Sequence, residues 1–342
     1  MSGRPGSGAV GGAVARAVEV AGVGVGRGAG LLGTVVDVPV RMLTGSARRV
    51  DPDVGRLGPL PYDEARHLPT TGGGHLFTVR RGTGDPVLFV HGIAMTARIW
   101  TKQFRNLPPT GMEAVAFDQR GHGGSAPGPD ATLDDLADDV RTVVEGTDLR
   151  RAIAVGHSTG GMALLAFAAR HPEVAAARLR GLVVVSTAAR LGLAHVPLVD
   201  RAFVPFASGV VRSGAWSRSD WSRVMARVAF GRDPSPSQVE LVRVLLASAP
   251  EPTVTAAVRA LATFDCTDRL DRVALPVLVV NGSADLCVTP GDARRLARGL
   301  PSARLEIVPG AGHMLMLERA ERLAELLDDF GRTLGAARDV AA

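Results

Sequence analysis

One serine lies in a sequence context that favours nucleophilic chemistry. Ser158 is the third residue of the segment 156–161, GHSTGG, which follows an apolar run and precedes a helical one. A serine at the tip of a strand-turn-helix unit adopts a strained backbone conformation, which leaves no room for side chains two positions away. Gly156 and Gly160 meet that requirement. The pattern therefore predicts a nucleophile elbow, with the hydroxyl of Ser158 presented beside the first amide groups of the next helix.

An alcohol becomes a good nucleophile only when a base takes its proton, and imidazole is the usual base. Among the eight histidines, His313 is placed best, because the small-residue loop 310–313 follows a predicted strand that ends at Val308. The others have weaker positions: His67 and His75 precede the predicted sheet, His171 ends a helix, and His195 lies in a predicted insertion.

The imidazole in turn needs an acid that holds its tautomer and offsets its charge. Asp285 follows the predicted strand 277–280 in a turn at the same sheet edge. Its rivals, Asp265, Asp268 and Asp271, precede that strand, so we expect them on the wrong side of the sheet or in the insertion. The chain order of serine, aspartate and histidine is the order typical of this type of sheet.

Acyl transfer also requires donors for the negative oxygen that develops in the transition state. The loop that begins at His91 follows another predicted strand, and the backbone amide of Ile93 could pair with that of Thr159. Gly92 permits the close approach of this loop. We expect His91 to brace the loop and not to take part in the chemistry.

The elements that would position these residues alternate between short apolar strands and helices. Such alternation favours an α/β fold with a mostly parallel sheet, helices on both faces, and ligands beyond the carboxyl ends of the strands. The predicted strands are Leu76–Val79, Val87–Val90, Ala114–Phe117, Ile153–Val155, Leu182–Val185, Val277–Val280 and Leu305–Val308, with helices near Leu133–Val144, Asp292–Gly299 and Leu317–Leu334.

Residues 188–263, the cap segment, interrupt this alternation. The segment is too long for a plain loop and contains helical runs, so we expect an inserted helical cap over the site. Its apolar residues favour an acyl or alkyl group of moderate size as ligand. These residues are Phe203, Val204, Phe206, Val210, Val211 and Trp216, and Trp221 lies in the same segment.

Composition excludes several other classes of protein. The 342 residues carry a net charge of +5, but Lys102 is the sole lysine and arginine never runs longer than two, so we expect no nucleic-acid partner. Cys266 and Cys287 are too few for a disulfide framework and lack a metal-ligand spacing, so two buried free thiols are expected. No cofactor and no catalytic metal are implied.

The first 70 residues are rich in glycine, alanine and valine and form a separate N-terminal extension in this interpretation. A helix of small residues over 10–25 could make weak peripheral contact with a membrane, whereas charged residues interrupt any spanning stretch. A signal-peptide pattern is not seen, and we expect a cytoplasmic location. The oligomeric state stays open.

These motifs together resemble the α/β-hydrolase superfamily, in its cap-bearing branch of esterases, lipases and haloperoxidase-like enzymes. The resemblance covers about three quarters of the chain and includes residues 118–125, DQRGHGGS, which are similar to the D-x-R-G-x-G-x-S loop common in that superfamily. It implies a core of residues 71–187 and 264–336, the cap at 188–263 and the extension at 1–70. Related epoxide hydrolases and dehalogenases carry aspartate at the elbow, so Ser158 indicates an acyl-enzyme.

The resulting expectation is a serine hydrolase that cleaves a small carboxylic ester with a lipophilic acyl or alkyl group. The same residues could instead support cleavage of a carbon–carbon bond or the peracid chemistry of cofactor-free haloperoxidases. A third alternative is a ligand-binding module that has kept the fold without catalysis.

Overall fold

The sheet has eight strands in the order β1-β2-β4-β3-β5-β6-β7-β8, counted over the described residues. The computed structural model describes residues 51–71, 73–126, 132–190, 223 and 226–339. The pairs β1–β2 and β2–β4 are antiparallel, and the remaining pairs are parallel. The strands are β1 Glu64–Pro69, β2 His75–Arg81, β3 Asp85–Val90, β4 Met112–Phe117, β5 Ala152–His157, β6 Leu179–Val185, β7 Val277–Gly282 and β8 Ala303–Val308.

Successive residues of the central strands pack into two different cores. In β3, Leu88 and Val90 contact one apolar cluster, whereas Val87 and Phe89 contact the other. A strand buried on both faces reads as a continuous apolar run, which is why these strands were predictable. The mostly parallel sheet with helices on both faces confirms the predicted fold class.

The described helices begin where polar residues can cap them. The helix over Leu133–Gly146 starts with a capping box between Thr132 and Asp135, and two other helices start in the same way. The helices are α1 Thr101–Asn106, α2 Leu133–Gly146, α3 Thr159–Arg170, α4 Pro172–Arg178, α5 Pro236–Ser248, α6 Glu251–Thr263, α7 Pro290–Gly299, α8 Leu315–Glu318 and α9 Ala320–Asp339. None of the described helices is long and apolar enough to cross a membrane.

The sheet begins earlier than the sequence predicts. Strand β1 lies inside the segment 1–70 that was assigned to the extension, and the chain divides into two units of which the second is Val50–Ala342. In β1 only Leu68 is buried, so this edge strand lacks an apolar pattern. The prediction that His67 and His75 precede the sheet was wrong, because His67 lies in β1 and His75 is the first residue of β2.

Within the cap segment, the structure describes residues 188–190, Arg223 and residues 226–263. Its described part contains the helices α5 and α6. In α6 the hydroxyl of Thr253 donates to the carbonyl oxygen of Gly121 at 2.6 Å. The apolar residues between 203 and 221 and His195 lie outside the described residues, as does the predicted helix over 10–25.

Candidate active site

Ser158 lies at a sharp turn between β5 and α3. Its φ of 53° and ψ of −119° fall outside the usual regions for a residue with a side chain. A Cβ atom on Gly156 would lie 2.6 Å from the carbonyl oxygen of Gly160, and one on Gly160 would lie 2.4 Å from that of Val90. Only glycine therefore fits at the positions two residues before and two residues after the serine. The amide of Ser158 donates to the carbonyl oxygen of Val185 at 2.9 Å, which fixes the turn to the neighbouring strand.

The carboxylate of Asp285 holds the imidazole of His313. The Nδ1 atom of His313 lies 3.0 Å from Oδ2 of Asp285, whose side chain is fully buried. The other carboxylate oxygen accepts the amides of Cys287 and Val288 at 2.8 and 2.9 Å. Three hydrogen bonds thus fix the carboxylate, and an Nδ1–H donor leaves the lone pair of Nε2 free to accept a proton.

His313 also lies beside the elbow. The ring centroids of His157 and His313 are 4.7 Å apart, and Nε2 of His157 donates to the carbonyl oxygen of His313 at 3.0 Å. No hydrogen bond joins Ser158 to His313 within the described part of the chain, and the half-buried hydroxyl of Ser158 has no partner there. The structure therefore brings Asp285 and His313 into contact and places them next to the residue that precedes Ser158.

Two backbone amides are available beside Ser158. Among the described residues neither Ile93 nor Thr159 has an acceptor for its amide. A Cβ atom on Gly92 would lie 3.2 Å from Cβ of Ser158, so the loop before Ile93 runs directly against the serine. Unpaired amides at this position could bind a negative oxygen.

A pair of neutral histidines braces the loop 91–97, here called the oxyanion loop. Nδ1 of His91 donates to the carbonyl oxygen of Gly92 at 2.7 Å, and its Nε2 accepts the amide of Gln119 at 2.9 Å. Nε2 of His122 accepts the amide of Ala94 at 3.0 Å. Burial lowers the pKa of each imidazole to about 4, which keeps both acceptors available at neutral pH.

The loop 118–125 holds the oxyanion loop in place. Asp118 accepts the amides of Ala97 and Gly124 at 2.7 and 2.9 Å. Arg120 donates to both carboxylate oxygens of Asp139 at 2.6 and 2.7 Å. The contacts of Asp118 thus fix the oxyanion loop, and those of Arg120 join the turn to α2.

Comparison with known proteins places this arrangement in a family. The sequence profile of the alpha/beta hydrolase family matches residues 87–326. The chain belongs to the alpha/beta hydrolase family. The chloroperoxidase CPO-A1 of Kitasatospora aureofaciens is 30% identical over 258 residues, which span 71% of this chain and 90% of that protein. A non-heme haloperoxidase of Rhodococcus erythropolis is 28% identical over 75% of this chain and 95% of its own length.

Solved structures agree with that assignment. A thermophilic esterase of Thermogutta terrifontis superposes with a TM-score of 0.68 at 27% identity, covering 80% of this chain and 99% of the esterase. The relatives of this hydrolase thus include both esterases and haloperoxidases. The fold and the family are common to the two groups, so they indicate a hydrolase without defining the ester or acid that it uses.

One buried carboxylate of the hydrolase was not found from the sequence. Glu318 accepts the amides of Gly231 and Gly312, each at 2.9 Å, and burial raises its pKa. It thereby joins the cap segment to residues 309–314, here called the His313 loop. Two backbone hydrogen bonds join the same segments. The amide of Met314 donates to the carbonyl oxygen of Ala229 at 3.1 Å, and the amide of Arg232 donates to that of Gly310 at 3.2 Å. No local pattern marks Glu318, because one of its two partners, Gly231, is 87 residues away in the sequence.

The two cysteines of the hydrolase differ in their surroundings. Cys266 is buried as expected, and its thiol donates to the carbonyl oxygen of Ala189 at 3.2 Å. The expectation was wrong for Cys287, which is exposed because it lies in the turn after Asp285. One ligand atom from each of Asp285, Cys287 and His313 lies within 4.8 Å of the other two. The fold thus creates a possible ligand set that sequence spacing does not reveal.

Proposed function

We propose that this hydrolase cleaves carboxylic esters through an acyl-enzyme on Ser158. His313 acts as the general base and acid, Asp285 holds its tautomer, and the amides of Ile93 and Thr159 form the oxyanion hole. The observation that carries the proposal is the Asp285–His313 pair beside a strained serine whose hydroxyl is unpaired among the described residues. This arrangement supplies a hydroxyl nucleophile, an imidazole base and a carboxylate that orients the base.

In the acylation step Ser158 Oγ attacks the carbonyl carbon while its proton moves to Nε2 of His313. The carbonyl oxygen becomes negative and accepts hydrogen bonds from Ile93 and Thr159. The imidazolium forms beside the buried carboxylate of Asp285, which offsets the new charge. When the tetrahedral intermediate collapses, the alcohol leaves with the proton from His313.

Deacylation uses the same groups with water as nucleophile. His313 takes a proton from water, the hydroxide attacks the acyl carbon, and the same two amides stabilise the second oxyanion. Ser158 regains its proton as the acid departs. Each oxyanion-hole donor contributes about 3 to 4 kcal/mol to transition-state stabilisation in well-studied hydrolases.

The substrate class follows from the cap segment. Its sequence contains several apolar residues before Trp221, which favour an ester with a lipophilic acyl or alkyl group. The esterase similarity at 27% identity supports ester cleavage as the principal reaction. We therefore expect turnover of p-nitrophenyl esters with acyl chains of short to moderate length.

A second candidate is perhydrolysis, because two of the relatives are a chloroperoxidase and a haloperoxidase. In this reaction hydrogen peroxide replaces water in deacylation and releases a peracid, which oxidises halide in solution. The same acyl-enzyme is required. Cleavage of a carbon–carbon bond and non-catalytic ligand binding remain alternatives that none of these observations favours.

A p-nitrophenyl ester series separates these activities. The wild-type enzyme and Ser158→Ala would be assayed with C2 to C12 esters, then with acetate, peroxide and bromide in a halogenation assay. We expect ester turnover that the variant lacks and bromination that stays slower than hydrolysis. Fast bromination with negligible ester turnover would favour the second candidate. Ligand-induced stabilisation without either reaction would support the binding module.

A further inference from the structure

The groups that hold His313 also resemble a set of metal ligands. Nδ1 of His313 lies 3.0 Å from Oδ2 of Asp285. Together with the sulfur of Cys287, these residues offer three ligand atoms that all lie within 4.8 Å of one another. We propose that Asp285, Cys287 and His313 bind a borderline-soft divalent cation such as Zn²⁺, and that this binding inhibits the hydrolase.

The distances suit such a cation after small side-chain movements. Zinc bonds of about 2.0 to 2.3 Å in a tetrahedron place neighbouring ligand atoms about 3.5 Å apart. The imidazole and carboxylate are already closer than that, so the cation would enter between them while the thiol turns inwards. Cys287 is exposed, which gives the cation a path from solvent and leaves room for water as fourth ligand.

The chemistry of the three groups determines which cation fits. Thiolate and imidazole prefer zinc and cadmium, whereas Mg²⁺ and Ca²⁺ prefer sets made only of oxygen ligands. A site of one thiolate, one imidazole and one carboxylate is therefore selective for the softer ions. The second cysteine, Cys266, is buried elsewhere in the core and takes no part.

A cysteine binds a divalent cation as its thiolate, not as its thiol. Formation of the metal–sulfur bond at Cys287 therefore releases one proton to solvent.

Coordination at His313 changes its tautomer. When the cation binds Nδ1, the proton of Nδ1 moves to Nε2, and no proton is lost from the ring. An imidazole with a hydrogen on Nε2 has no lone pair there to accept the proton of Ser158. This inhibitory consequence rests on the proposed function, whereas the binding of the cation does not.

Cadmium absorbance tests the binding directly, because a cadmium–thiolate bond has an ultraviolet charge-transfer band. The full chain, metal-free and without a polyhistidine tag, would be titrated with Cd²⁺ alongside Cys287→Ser and the matched control Cys266→Ser. We expect a band that saturates at one equivalent in the wild type and in the control and is lost in Cys287→Ser. Absence of the band, or its persistence in Cys287→Ser, would overturn the proposal.

Inhibition gives the second readout. Zn²⁺ should inhibit ester hydrolysis, and EDTA should restore the activity. The substitution Cys287→Ser should raise the half-inhibitory concentration of Zn²⁺ at least tenfold. The rate of each protein is normalised to its own metal-free rate. Equal inhibition of both proteins would contradict the site. If the cadmium band forms but the metal-free enzyme hydrolyses no ester, the proposed function fails and the metal site stands.

Discussion

At the scale of single residues, Asp285 has two tasks that one substitution separates. Its Oδ1 accepts two amides and its Oδ2 faces Nδ1 of His313. In Asp285→Asn the amide oxygen would keep the two backbone donors and direct the NH₂ group at His313. The imidazole would then adopt the tautomer with hydrogen on Nε2, which cannot act as the base.

For Asp285→Asn we expect kcat for ester hydrolysis to fall by about 10⁴-fold, the loss seen when the equivalent change is made in a serine protease triad. Thermal unfolding should change little. The matched control is Asp268→Asn, an exposed aspartate before β7. A loss of less than tenfold in Asp285→Asn, or an equal loss in the control, would remove Asp285 from the mechanism.

At the scale of elements, the position of His313 depends on a clamp between two loops. Glu318 accepts one amide from the cap segment and one from the His313 loop. In Glu318→Gln only one of the two amides keeps an acceptor, because the NH₂ group is a donor. A buried donor without a partner costs about 1 to 3 kcal/mol of unfolding free energy.

Glu318→Gln should therefore lower stability by that amount and reduce kcat more than it changes KM, since it displaces the base without touching substrate. Chemical denaturation and steady-state kinetics measure the two effects. Glu321→Gln, an exposed position on α9, serves as the control. A change in KM alone would indicate that Glu318 shapes the binding pocket and does not position His313.

The oxyanion loop should respond to acid through His122. The pKa of His122 falls to about 4 in the folded chain because of burial, against an ordinary value of 6.5. Between these values the unfolded chain binds a proton at His122 that the folded chain does not, so stability declines as pH falls from 6.5 towards 4. The slope is about 1.4 kcal/mol per pH unit.

Urea unfolding at pH 7 and pH 5 measures this contribution as a difference between wild type and His122→Gln. We expect the wild type to lose about 2 kcal/mol more than the variant over that range. Parallel losses in the two proteins would show that His122 is not neutral in the folded state.

Elements buried on both faces could be predicted from the sequence, while those held by distant polar contacts could not. The apolar runs of β5 and β7 led directly to Ser158 and Asp285. Strand β1 was missed because only Leu68 in it is buried. Glu318 was missed because no local pattern reveals a partner such as Gly231, and the exposure of Cys287 depends on the turn that Asp285 organises.

At the scale of the whole molecule, one buried polar cluster joins the start of the described chain to its body. Asp53 lies 2.9 Å from Nζ of Lys102 and accepts hydrogen bonds from Ser235 and Gln238 at 2.8 and 2.7 Å. Lys102 also donates to the carbonyl oxygen of Leu317 at 2.9 Å. Lys102, the single lysine of the chain, thus joins α1 to Asp53 at the start of the described chain and to α8.

Asp53→Asn should destabilise the fold by about 3 kcal/mol, because it leaves the ammonium group of Lys102 largely buried without its counterion. Differential scanning calorimetry measures the change, and Asp63→Asn, an exposed residue before β1, provides a comparison. A melting temperature equal to that of the wild type would mean that water solvates Lys102 instead. Co-sedimentation with vesicles tests the weak membrane contact that the sequence predicts for residues 10–25.

The central claim is that Ser158 becomes covalently acylated. Intact-protein mass spectrometry after reaction with a fluorophosphonate probe, followed by peptide mapping, tests it most directly. We predict a single adduct on Ser158 in the wild type and none in Ser158→Ala. An adduct on a different residue, or an enzyme that hydrolyses esters yet never forms the adduct, would contradict the account.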